Sequence, residues 1–164
     1  MKDLKMSAAP VVPIRETLIT PSLIEKAIAW AEAQSASIAQ AGSPLDDTQL
    51  ALAAGVGVQH PDRIRIVEVQ RFPMPDDPEL RQAALDIQFL GDDTLGLTLG
   101  YGVCIRQDHK TNRLLTHEFR HVYQYEQAGS IRAFLPKYFL QVVTLGYRNA
   151  PFEVDARAYE RDHA

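Results

Sequence analysis

Residues 114–129 read LLTHEFRHVYQYEQAG, and within them His117 and His121 stand four positions apart with Glu118 directly after the first. Wound as a helix at about 100° per residue from His117, His121 falls near 40°, Tyr125 near 80° and Glu118 near 100°. Leu115, Phe119 and Val122 gather between about 140° and 200°, and Arg113, Arg120, Tyr123, Gln124 and Gln127 fill the remaining arc. Such a helix has an apolar face for a core, a charged face for water, and a histidine face bordering the core.

That pattern suits a metal. Two imidazoles one turn apart can bind a single Zn2+ at about 2.0 to 2.1 Å each, and a glutamate directly after the first is angled toward a water on the same ion. Neutral imidazole is a borderline ligand matched to zinc, and a carboxylate can both accept a proton and pass it to a leaving amine. A tetrahedral site with one open position needs a third protein ligand. The arrangement HExxHxxGxxH is excluded, because Gln124 and Gln127 stand at its glycine and last histidine. Glu126 falls near 180° on the same helix and points away. Glu153, following Pro151 at the start of a predicted helix, is the better third ligand, with Glu160 as the runner-up on the same stripe. The metal-free alternative is two helix histidines paired with acids, with Glu153 placed to suit the helix dipole.

Around this stretch the chain alternates helix and strand signals. TPSLIEKAIAWAEAQSASIAQAG offers a Thr20 cap, Pro21 at the first helical position, an apolar stripe with Trp30 at its edge, and a stop at Gly42. SPLDDTQLALAAGVGV repeats the logic over a shorter helix. DRIRIVEVQRFPMP sets Ile64, Ile66, Val67 and Val69 among charged residues, as a half-buried strand does. A short helix is expected between Pro78 and Gly91, then one or two strands in DTLGLTLGYGVCIRQ, where glycines at 96, 100 and 102 permit close backbone approach. From residue 111 three helices are expected: Asn112 to Ala128, SIRAFLPKYFLQVVTLG kinked or restarted at Pro136, and APFEVDARAYERD. The order points to an α+β fold, a small mixed or antiparallel sheet packed on helices.

At 164 residues and 46% hydrophobic, the chain suits one domain. Residues 1–19 are expected to form an irregular, proline-containing arm and residues 20–164 the single domain. Residues 1–100 hold 8 basic and 14 acidic side chains, and residues 101–164 hold 9 and 7. Neither half carries the basic footprint of a nucleic-acid binder. The single cysteine, Cys104, forms no internal disulfide, and the apolar run near the start is broken by Pro10 and Pro13. A cytoplasmic protein is expected, with no spanning helix and no membrane role. Cys104 reads as a small buried hydrophobe, and His60, His109 and His163 as surface residues.

LTHEFRHVYQYE, followed about thirty residues later by APFEVDARAYE, resembles the active-site and glutamate helices of small bacterial zincin-type metallopeptidases of the gluzincin kind. The resemblance covers residues 94–160. It implies a zincin-like fold, zinc ligands His117, His121 and Glu153, and Glu118 as general base. It also implies that the strand in LGLTLGYGVCIR edges the cleft and pairs with an extended peptide or protein substrate. One position departs: many such families place Asp four residues after the glutamate ligand, and here Arg157 stands there. Sites of this kind often use Tyr or His on the oxyanion; of Tyr101, Tyr125, Tyr138, Tyr147 and Tyr159, Tyr147 before the glutamate helix is the choice. The expectation is a zinc-dependent peptidase. Its alternatives are a catalytically inactive, zinc-stabilised binding or regulatory module, toward which Arg157 points, and a metal-free helical interaction protein.

Overall fold

The computed structural model describes residues 20–163, so the arm expected over residues 1–19 lies outside it, as does residue 164. Helix α1 (Pro21–Ala41) opens as its sequence dictates: the Thr20 hydroxyl accepts the Leu23 N–H and Pro21 occupies the first turn. Strand β1 (Ser43–Pro44), too short to be read from sequence, follows directly. Helix α2 (Asp47–Gly55) starts in a reciprocal cap in which Asp46 accepts the Gln49 N–H and Gln49 accepts the Asp46 N–H. A short 3-10 turn (Pro61–Arg63) leads into β2 (Arg65–Val69). Helix α3 (Pro78–Asp86) ends earlier than expected, the chain turning at Gln88 with φ 62°.

Strands β3 (Gly96–Leu99) and β4 (Gly102–Arg106) form a hairpin, and the sheet runs β1-β2-β4-β3. β2 and β4 are parallel and the two outer pairings antiparallel, so the sheet is mixed, with β3 on an edge. Its two faces serve two cores. Leu97, Leu99 and Cys104, with Val67 and Val69 beside them, pack with α1 residues such as Leu23 and Ile28. On the other face Ile66, Val103 and Ile105 meet Leu52 of α2 and Leu115, Phe119 and Val122 of α4 (Asn112–Ala128).

Helix α4 stops where expected: Gly129 adopts φ 97°, a left-handed conformation that glycine accepts without Cβ strain. Helix α5 (Ile131–Leu145) packs on both α1 and α4, and Pro136 neither stops nor restarts it. That proline sits early in the helix, where it removes one backbone bond. After a 3-10 turn (Tyr147–Asn149), α6 (Pro151–Ala158) lies against α4. Among the described residues there are thus six α-helices and one four-stranded mixed sheet, and no helix is long and apolar enough to cross a membrane.

Candidate metal centre

The rotation of α4 is set by its apolar face. Phe119 and Val122 are fully buried and Leu115 nearly so, which turns His117, Glu118 and His121 toward the edge of the sheet and the last helix. The start of α6 is fixed from outside: Ala150 has no side chain to cap with, and Gln141 on α5 accepts the Phe152 N–H at 2.9 Å. Glu153, 2% exposed, is thereby delivered into the space between the histidines.

There the three side chains converge. His117 Nε2 lies 3.2 Å from Glu153 Oε2, and His121 Nε2 lies 3.2 Å from Glu153 Oε1. The two imidazole rings are 5.0 Å apart and nearly perpendicular, and one ligating atom from each of the three residues falls within 4.8 Å of the others. Tetrahedral zinc with bonds of about 2.0 to 2.1 Å separates neighbouring donors by about 3.3 Å. Two imidazole nitrogens and one carboxylate oxygen are a donor set that could hold a metal ion such as zinc.

The outer nitrogens are committed elsewhere, which leaves both Nε2 atoms facing Glu153. His117 Nδ1 lies 3.0 Å from Glu160 Oε1, and the other oxygen of Glu160 takes the Arg113 guanidinium at 2.7 Å. Glu160 is thus a partner of His117 and stands outside the converging triad. The reason is local: α6 ends at Ala158, so the helical stripe expected through residue 160 is broken, and Glu160 arrives from the side. Arg157 itself turns out to the Arg148 carbonyl. On the second histidine, His121 Nδ1 lies 2.8 Å from Gln124 Oε1. Tyr138 donates to Glu153 Oε1 at 2.9 Å and so steadies the carboxylate.

The charges respond to one another. Burial works against charge on His121, but its hydrogen bond to Glu153 and the charges of Glu153 and Glu118 outweigh that and carry its pKa up to about 9. His117 is raised against the same burial, by the Glu153 hydrogen bond and the Glu118 charge. Burial opposes ionisation of Glu153, yet its hydrogen bonds to both histidines hold it well below the usual carboxylate range.

Glu118 is braced from β3. Its Oε2 accepts the Thr98 hydroxyl at 2.6 Å, and a Cβ at Gly96 would sit 2.5 Å from its Oε1. Glycine at 96 is what lets the carboxylate lie against the strand. An open cleft joins these groups and is walled by Leu95, Leu114, Phe134 and Tyr147, among others. Tyr147 stands on the 3-10 turn, where burial and the charge of Glu153 raise its hydroxyl pKa, so it remains a donor. The other tyrosines have other tasks: Tyr125 donates to the Thr98 carbonyl, Tyr101 to Glu126, and Tyr159 lies against the Arg120 guanidinium. Burial pushes the Cys104 thiol up to about 12, which rules out a thiolate at neutral pH. A second, wholly apolar cavity, with Leu23, Trp30, Leu80 and Phe139 in its wall, contains none of these groups.

Sequence reasoning missed Thr98, Gln124 and Asp155. Gln124 had a signal, three residues after His121 on the same helix; Thr98 had only its place two residues after Gly96 on one strand face. No family model, curated protein or solved structure matches the chain.

Proposed function

We propose that this protein is a zinc-dependent hydrolase, most plainly a peptidase, with a zincin-like arrangement of strand, histidine helix and glutamate helix. The observation that carries the reading is the convergence of His117, His121 and Glu153 within 4.8 Å, beside Glu118 and at the wall of an open cleft. His117 and His121 through Nε2 and Glu153 through its carboxylate would hold the ion. Zn2+, when bound, supplies a Lewis acid that acidifies water and polarises a carbonyl.

The chain's own residues do the rest. Glu118 takes a proton from the attacking water and delivers it to the leaving amine, Thr98 holding one carboxylate oxygen in place. Tyr147 donates to the oxygen on which negative charge develops. The substrate lies along β3. Arg106 N–H bonds to the Leu95 carbonyl, so the alternation of an antiparallel pair turns the backbone of Gly96 to the open edge, where an extended peptide can pair. Cys104 is the lone cysteine and is buried and free, consistent with action in the reducing cytoplasm.

Replacing Glu118 with Gln removes the proton acceptor while keeping the shape. Hydrolysis of a peptide panel is expected to fall by about 10²- to 10⁴-fold with zinc content unchanged. Undiminished cleavage in that variant would remove Glu118 from the role. One observation favours a second reading, a zinc-stabilised binding module without turnover: Arg157 stands at the departing position and turns to the Arg148 carbonyl. A cleavage that is reproducible in the wild type and absent from Glu118→Gln excludes it.

A further inference from the structure

Gln124 is a side chain beside His121 whose two ends differ in kind. An amide offers an acceptor at one end and donors at the other, and which end faces a histidine decides which ring nitrogen carries the proton. Here the choice is forced. The Gln124 Nε2 group has two acceptors, the Phe152 carbonyl at 2.9 Å and Asp155 Oδ2 at 2.9 Å. Oε1 is therefore the end that faces His121 Nδ1, at 2.8 Å. Asp155 is in turn held by Arg120, whose Nε reaches Oδ2 at 2.8 Å and whose outer nitrogen reaches Oδ1 at 3.2 Å. Arg120 itself is fixed by a hydrogen bond to the Val56 carbonyl and by its position between the rings of Tyr123 and Tyr159.

We infer that Asp155 and Gln124 are positioning residues: Asp155 sets the direction of the Gln124 amide, whose Oε1 accepts the Nδ1 proton of His121 and so fixes the ring with Nε2 turned toward Glu153, where a metal would be held. The inference rests on the zinc reading for its consequence, but the hydrogen bond from His121 Nδ1 to the Gln124 amide exists without metal. It assigns the two ligand histidines different supports, a carboxylate from the end of the chain for His117 and an oriented amide for His121. It also makes the docking of α6 on α4 a condition for a competent His121, since both acceptors of the amide come from α6.

The test is a cycle of Gln124→Met, Asp155→Asn and the double variant, read by zinc affinity against a chromogenic chelator and by 15N NMR of the His121 ring in metal-free protein. Each single variant is expected to weaken zinc by about 10- to 100-fold. In the double variant Asp155→Asn should add nothing beyond Gln124→Met, because it acts through the amide. Losses that multiply in the double variant, as two independent structural defects do, overturn the inference. The wild-type His121 Nδ1 is expected to show a bonded proton that is lost to exchange in Gln124→Met, a variant that keeps the helix and the side-chain length. An Nδ1 proton unchanged in Gln124→Met overturns the inference, whether or not Asp155→Asn folds. Should the wild type take no zinc, the zinc reading fails, and the NMR comparison alone decides the proton placement.

Discussion

Glu118 and its neighbours show how much a site owes to residues that carry no charge. The carboxylate is held between the Thr98 hydroxyl and the bare backbone of Gly96. Adding one methyl at 96 places it inside contact distance of three Glu118 atoms, and Glu118, only 5% exposed, has little room to retreat. Gly96→Ala is therefore expected to leave the three ligands and zinc content intact while lowering kcat by about 10-fold or more, the cost of misplacing a general base. Full activity in that variant, measured at saturating substrate, would separate Glu118 from the reaction. The histidines themselves were legible from spacing alone, since two residues four apart on a helix share a face whatever else the chain does. The partners that orient them were less so: Glu160 and Asp155 reach the site only because of where α6 starts and stops, which sequence period does not specify.

At the scale of elements, α4 is the part of the fold most fully written in its own residues: Thr111 caps it, Gly129 ends it, and one apolar face buries Leu115, Phe119 and Val122. Phe119 is fully buried between β4 and α2 neighbours, so Phe119→Ala should cost about 3 to 5 kcal/mol in chemical denaturation. A loss below about 1 kcal/mol would mean that α4 is not seated as described. The sheet was only half legible. The alternation in residues 64–69 predicts a half-buried strand, and the structure covers both faces unequally because α1 lies on one side and α2 and α4 on the other. The pairing of β2 with β4 in parallel has no local signal, because it depends on a crossover through α3 and β3. Pro136 does not restart the helix: the tertiary contacts of Phe134, Leu135, Tyr138 and Phe139 hold α5 through the missing bond.

For the whole molecule, the site couples folding to protons and, on the proposed reading, to metal. His121 has a folded pKa of about 9 against an ordinary 6.5, so in metal-free protein its contribution to stability is complete below pH 6.5 and fades as pH rises through 9. Glu153 is depressed below its ordinary 4.5, so its contribution is present above that pH and fades in acid. Metal-free protein should accordingly be most stable between about pH 5 and 6.5. Zinc requires unprotonated imidazole, so the gain in Tm on adding zinc should grow from pH 6 to pH 9, checked by paired melting curves across that range. A zinc-induced shift independent of pH would place the ion somewhere other than these histidines.

Metal content bears most directly on the central claim. Protein purified without chelator or a metal-affinity tag, beside His117→Ala and Glu153→Ala variants, is to be assayed by elemental mass spectrometry. The expected result is about one zinc per chain in the wild type and a loss in both variants, as three ligands sharing one ion require. No bound zinc in the wild type even after zinc is added, or zinc retained in both variants, would contradict the three-ligand centre and the hydrolase built on it.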